Sequence, residues 1–149
     1  MDADSEQLSE LALLGRLDEL FALVSVEDAA RAWCGYNSRP HHSDREREED
    51  ADWWAVDLWF SLAGKDEGRE RQMLRLIADL APDDDVLSAL GAGPLEDFVT
   101  DDEDRLEWIE TQAASSEKFR KALANVWARD YVAAENFARL ERAAGRPLR

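Results

Sequence analysis

Apolar residues recur along the chain at the spacing of helices. From Ser5 to Val24, the residues Leu13, Leu17, Leu20, Phe21 and Val24 fall at i, i+4, i+7, i+8 and i+11, which predicts a first amphipathic helix. Ser25 with Asp28 three residues on makes a capping-box-like start, Asp standing where Glu is usual. Val26, Ala29, Ala30, Trp33 and Cys34 then form the stripe of a second helix, which places Cys34 in the core. Tyr36 to Ser43 carries turn formers and a proline and reads as a loop, with His41 and His42 in solvent. A third helix, about Asp44 to Leu62, begins charged. It then puts Trp54, Ala55, Leu58, Trp59 and Leu62 on one stripe and Trp53, Val56 and Phe60 on another, the pattern of a central element.

Gly64 to Gly68 interrupts the pattern, and Met73, Leu76, Ile77 and Leu80 mark a fourth helix that stops before Pro82. Shorter pieces follow. One helix opens at Pro82 and ends near Gly91, another opens at Gly93 and Pro94, and a third runs from Thr100 through Ala114. A long last helix follows Ser116, with Phe119, Leu123, Val126, Ala133, Phe137 and Leu140 as its buried side. No strand-like alternation and no hairpin dipeptide lies between apolar runs. The expectation is an all-α protein, a single domain over residues 1–149 with 145–149 as a frayed tail. About seven or eight helices would form an irregular bundle, with a short stack of helix pairs as the alternative.

Charge changes the picture of what such a bundle could do. Residues 1–114 hold 30 Asp/Glu against 10 Lys/Arg, and residues 115–149 hold 4 against 8, within a net charge of −16. An acidic body disfavours nucleic acid, whose phosphates need Lys and Arg, and leaves basic proteins and cations as partners. The same acidity also serves solubility or adaptation to salt. Cys34 is solitary, so no internal disulfide forms. The acidic start MDADSEQLSE is neither a secretory signal nor a transit peptide, and no apolar run approaches membrane-spanning length. The expected compartment is the cytoplasm.

Candidate chemistry is sparse. The runs Asp83-Asp84-Asp85 and Asp101-Asp102-Glu103-Asp104 open predicted helices, where free amides and the dipole favour carboxylates without a metal. Neither has the spacing of a calcium loop. Glu46/Glu49 and Glu67/Glu70 have the acid-x-x-acid form of a magnesium-dependent nucleotide hydrolase. With 34 acids in 149 residues, such pairs also arise by chance. His41, His42 and Cys34 lack a completing ligand. No catalytic residue, metal site or cofactor is expected. Asp57 and Asp130 fall on or near apolar stripes, and the simplest expectation is an ion pair with Arg75, Arg120 or Arg129. Most tryptophans sit on stripes and read as core. Trp53 and Trp108 lie off the main stripe beside acids, as an aromatic anchor for a basic partner would.

The segment Ala92 to Val99, AGPLEDFV, followed by Trp108-Ile109-Glu110, Ala113-Ala114, Phe119-Arg120 and Val126-Trp127, resembles a family of small bacterial domains of unknown function. The resemblance spans about Ala30 to Ala128, includes the Trp53 to Trp59 helix, and implies a bacterial, helical protein. It carries no activity or functional residue to the chain. Locally, Gly93 would end one element, Pro94 start the next, and Leu95 and Phe98 bury. Glu96 and Asp97 would meet helix amides or, facing outward with Asp101, Asp102, Glu103 and Asp104, form an acidic rim for arginines. The leading expectation is a non-catalytic module binding a basic protein, in its most specific form an immunity or antitoxin-type inhibitor. A metal-dependent nucleotide hydrolase and a helical adaptor or scaffold are the alternatives.

Overall fold

The structure is a computed structural model and describes residues 4–149; of the acidic start, Met1, Asp2 and Ala3 lie outside the described residues. Every regular element among them is helical. In order these are α1 (Ser5–Leu13), α2 (Leu17–Leu23), α3 (Val26–Asn37), α4 (Asp44–Glu49), α5 (Trp53–Leu62), α6 (Glu67–Leu80), α7 (Asp84–Leu90), a π-helical turn (Gly91–Leu95), α8 (Glu96–Phe98), α9 (Glu103–Ser115), α10 (Glu117–Leu123) and α11 (Ala134–Ala144). They fall into two compact units, one ending at Leu80 and the other comprising Ala81–Arg149.

The segments outnumber the seven or eight expected because three expected helices are broken. The first stops at Gly15, whose φ of 70° lets its amide and that of Arg16 bond back to Ala12 and Leu11, a Schellman ending. Leu13 therefore leaves the expected stripe and is 74% exposed, beside Leu14 at 61%. The third breaks at Asp50, where extended backbone and a bond from the Asp52 amide to the Asp50 carboxylate at 2.9 Å make a side-chain turn. Charged α4 and apolar α5 are thus separate pieces, and Phe60 faces solvent rather than a second core. The last expected helix ends at Leu123 and resumes only at Ala134. Trp127 and Asp130, on the intervening loop, are exposed instead of buried.

Two expected short helices instead join into one rod, Asp84 to Phe98, through the π turn. Pro94 lies inside it and is buried. A proline lacks an amide proton and crowds the carbonyl four residues back, and a wide turn relieves both conflicts. Gly93 accordingly ends nothing. Other local expectations hold: Ser25 and Asp28 form the reciprocal capping box, Asp83 caps α7, and Asp102 caps α9.

In the first unit α1 packs on α5, and α3 packs on α5 and α6. Trp59, Leu58, Leu62, Met73 and Ile77 form its interior, and Cys34 is buried as expected. Glu70 is buried too and accepts the Gly64 amide. In the second unit α10 packs on α7, α9, α11 and the π turn, around Phe98, Phe119 and Leu123. The terminal basic stretch lies on this unit: Leu148 is buried and its amide bonds Glu141 at 2.9 Å. Among the described residues no helix is long and apolar enough to cross a membrane.

The close approach of the rod to α10 is written in Gly91, where a Cβ would lie 2.0 Å from the Ala122 carbonyl oxygen. Gly91→Ala is expected to destabilise the protein by about 1–3 kcal/mol or more in urea unfolding. Gly93→Ala, where a Cβ meets nothing within 4 Å, should be neutral or stabilising. Equal effects from the two would contradict this packing.

Candidate functional site

A groove of about 820 Å³ runs along α1 in the first unit, opposite the end of α4 and the start of α5. From α1 and its C-cap Leu14 come Ser5, Glu6, Ser9, Glu10, Leu13 and Leu14, a two-residue-wide stripe repeating every four residues. The facing wall supplies Glu48, Glu49, Asp50, Trp53, Trp54 and Asp57. Six carboxylates and no Lys or Arg line it, while leucines and tryptophans give it an apolar surface. Glu49 pairs with Arg45, and Asp50 with Arg39 and His41. No ion pair reaches Glu6, Glu10, Glu48 or Asp57 among the described residues.

Asp50 anchors the wall where α4 meets α5. Arg39 donates to it from Nε at 2.9 Å and Nη2 at 2.7 Å, and His41 Nε2 lies 2.8 Å away. The Arg39 guanidinium holds this carboxyl well below the usual carboxylate range, and the carboxylates of Asp50 and Asp52 raise Arg39 in turn. His41 is not the solvated loop residue expected: its side chain is 10% exposed and stacks on Tyr36 at 4.3 Å. Tyr36 also contacts Trp53, at 5.5 Å between ring centroids. Trp53 is thereby half-buried at the groove, with an aromatic backing that fixes it. Asp57 is half-buried without the expected arginine; burial raises its pKa, and Ser9 hydrogen-bonds it.

The expected rim over Glu96 to Asp104 lies in the second unit; its acids from Asp97 to Asp104 are exposed, and several of the rim's carboxylates hold backbone amides or an arginine. Glu96 accepts the Trp127 amide at 2.8 Å, and Asp101 accepts the Ala133 amide at 2.8 Å and the Asn136 side chain at 2.7 Å. These bonds pin both ends of the loop between α10 and α11, and Asp101 caps α11, whose own N-cap residue is an alanine. The hydrogen bond from Asn136 lowers the Asp101 pKa. Asp102 caps α9, and Glu103 binds Arg139 at 2.7 Å together with Glu110. Asp97 and Asp104 are exposed. Trp108 is half-buried, edge-on to Phe98 and Phe119. The pinned loop presents Trp127, with Arg149 stacked 5.6 Å above its ring, and Tyr131.

The acid pairs read from the sequence do not converge. Glu46 accepts the His42 amide, Glu49 and Glu67 hold Arg45 and Arg71, and Glu70 is buried on Gly64. No group of three or more His, Cys, Asp or Glu side chains is placed to hold a metal among the described residues. Asp130 has no buried surroundings, and Arg75 pairs with Asp79. The α1 wall has little signature in the sequence. Two adjacent leucines just before a glycine, Leu13-Leu14-Gly15, are its signal.

A family model described as a family of unknown function (DUF6869) matches residues 41–147. The match takes in the α4 and α5 wall and the Ala92 to Val99 segment, but not α1. No curated protein and no solved structure matches the chain.

Asp50 gives the groove wall a pH signature. Its folded pKa is depressed from 3.8, so its contribution to stability is complete above the unfolded value and disappears as pH falls toward the folded one. Urea unfolding at pH 7 should find Asp50→Asn less stable than wild type, and the gap should close as pH drops below about 4. A gap unchanged at acid pH would remove Asp50 from this role.

Proposed function

Because the chain belongs to this family of unknown function, and membership brings no activity with it, we propose a function from the groove: a non-catalytic module that binds a basic protein on the first unit. The observation that carries the reading is the groove's lining, in which Glu6, Glu10, Glu48 and Asp57, which no ion pair reaches among the described residues, lie beside the exposed Leu13 and Leu14. Solvated carboxylates speed the encounter with a cationic partner. Leucine and tryptophan surface supplies the contact that excludes water afterwards. The most specific form of this proposal is an immunity or antitoxin-type inhibitor of a basic bacterial toxin, acting in the cytoplasm.

The alternatives draw less support. Hydrolysis through Glu46/Glu49 and Glu67/Glu70 would need four carboxylates that are engaged elsewhere. Along the Glu96 to Asp104 rim, Glu96, Asp101, Asp102 and Glu103 already hold backbone amides or Arg139. An adaptor built on helical faces would not call for a uniformly acidic lining.

Affinity capture from the native host at about 50 mM and about 300 mM salt tests the reading. The expected result is a basic protein captured at low salt, weakened at high salt, and lost with the combined changes Glu6→Lys, Glu10→Lys and Glu48→Lys. Asp97→Asn with Asp104→Asn should leave capture intact. Capture that ignores the groove changes contradicts the proposal. For the inhibitor form, the captured protein should arrest growth alone and not when both are expressed.

A further inference from the structure

The groove's carboxylates are not equivalent, and the difference identifies what the partner brings. Glu6, Glu10 and Glu48 are exposed and solvated, so a passing cation gains little by settling on any one of them. Asp57 is half-buried on α5, beside the buried Trp54 and between walls from α1 and α4, with Ser9 as its hydrogen-bonding neighbour. Burial disfavours its charge, as its raised pKa records. A cation seated there relieves that penalty and interacts through a less polarisable medium than water. Apolar surface on one side of this position is equally specific. Leu13 and Leu14 lie one and two turns along α1 from the Glu10 and Glu6 level, so carboxylates and leucines share one helical stripe.

Resting on the binding reading above, we propose that the groove receives an amphipathic basic helix of the partner protein, anchored by an arginine or lysine side chain on Asp57. The α1 stripe from Ser5 to Leu14 is about 14 Å long at 1.5 Å per residue, the length of two to three turns of a docked helix. Cationic positions of that helix face Glu6, Glu10, Glu48 and Asp57, and its apolar positions face Leu13, Leu14 and Trp53. The outer carboxylates govern the rate of encounter. Asp57 governs the lifetime of the complex.

The probe is a fluorescein-labelled synthetic peptide with leucine and arginine at helical spacing, measured by anisotropy and stopped flow on the full chain. A second peptide has the same composition with the leucines scattered. Wild type should bind the first more tightly than the second. Asp57→Asn should weaken binding about tenfold or more, chiefly through faster dissociation. Glu6→Gln with Glu10→Gln should slow association and flatten its salt dependence while leaving dissociation nearly unchanged. In unsubstituted protein, the Asp57 carboxyl carbon resonance should move on peptide addition, which covers the case of a misfolded variant. Unchanged dissociation from a folded Asp57→Asn protein, or an unmoved resonance in the bound state, overturns Asp57 as anchor while the groove reading stands. Equal binding of both peptides overturns the helix. No binding of either at low salt overturns the groove reading, and this proposal with it.

Discussion

Carboxylates need partners or water, and this chain has 34 of them against 18 Lys and Arg. That imbalance governs how the fold is assembled. Backbone amides at helix starts take part of the excess: Asp4, Asp28, Asp83 and Asp102 each accept one. The second unit extends the same device across elements, with Asp101 capping α11 and Glu96 holding the Trp127 amide. Arg139 draws in Glu103 and Glu110. In the second unit, then, much of the acidity is structural.

The first unit also pairs many of its acids with arginines, among them Glu19, Glu49, Asp66 and Asp79. Arg39 and His41 secure Asp50 at the α4 to α5 turn, so the wall that bears Trp53 and Asp57 is fixed. Glu6, Glu10, Glu48 and Asp57, which no ion pair reaches among the described residues, face a groove with leucines beside them. Acidity on a surface that also exposes Leu13 and Leu14 is not explained by solubility alone, since apolar exposure works against solubility. The binding reading rests on the lining of this groove rather than on total charge.

Helix class, the capping box at Ser25, the caps at Asp83 and Asp102 and the burial of Cys34 were legible in the sequence because each depends on neighbours within a turn or two. Breaks were harder. The stops at Asp50 and after Leu123 depend on Arg39 and His41 in one case and on Glu96 and Asp101 in the other, all distant in sequence. The stop at Gly15 was local and readable, but the heptad-like stripe through Leu13 overrode it. Trp127 has the spacing of a core position on a helix that the loop interrupts. The Ala-Gly-Pro-Leu-Glu-Asp segment was recognisable, yet its reason lies in contacts: Gly91 just before it meets the Ala122 carbonyl, and Glu96 reaches the Trp127 amide. For the site, the acids flanking Trp53 are visible in the sequence, while the opposing α1 wall depends on the packing of α1 against α5.

Amide hydrogen exchange on the protein, free and with a bound basic partner or the amphipathic peptide, tests most directly that the groove and not the Glu96 to Asp104 segment is the docking surface. Slowed exchange confined to α1, the end of α4 and the start of α5 is the predicted result. Protection centred on residues 96–104 or on the loop between α10 and α11, with α1 unchanged, would contradict the account.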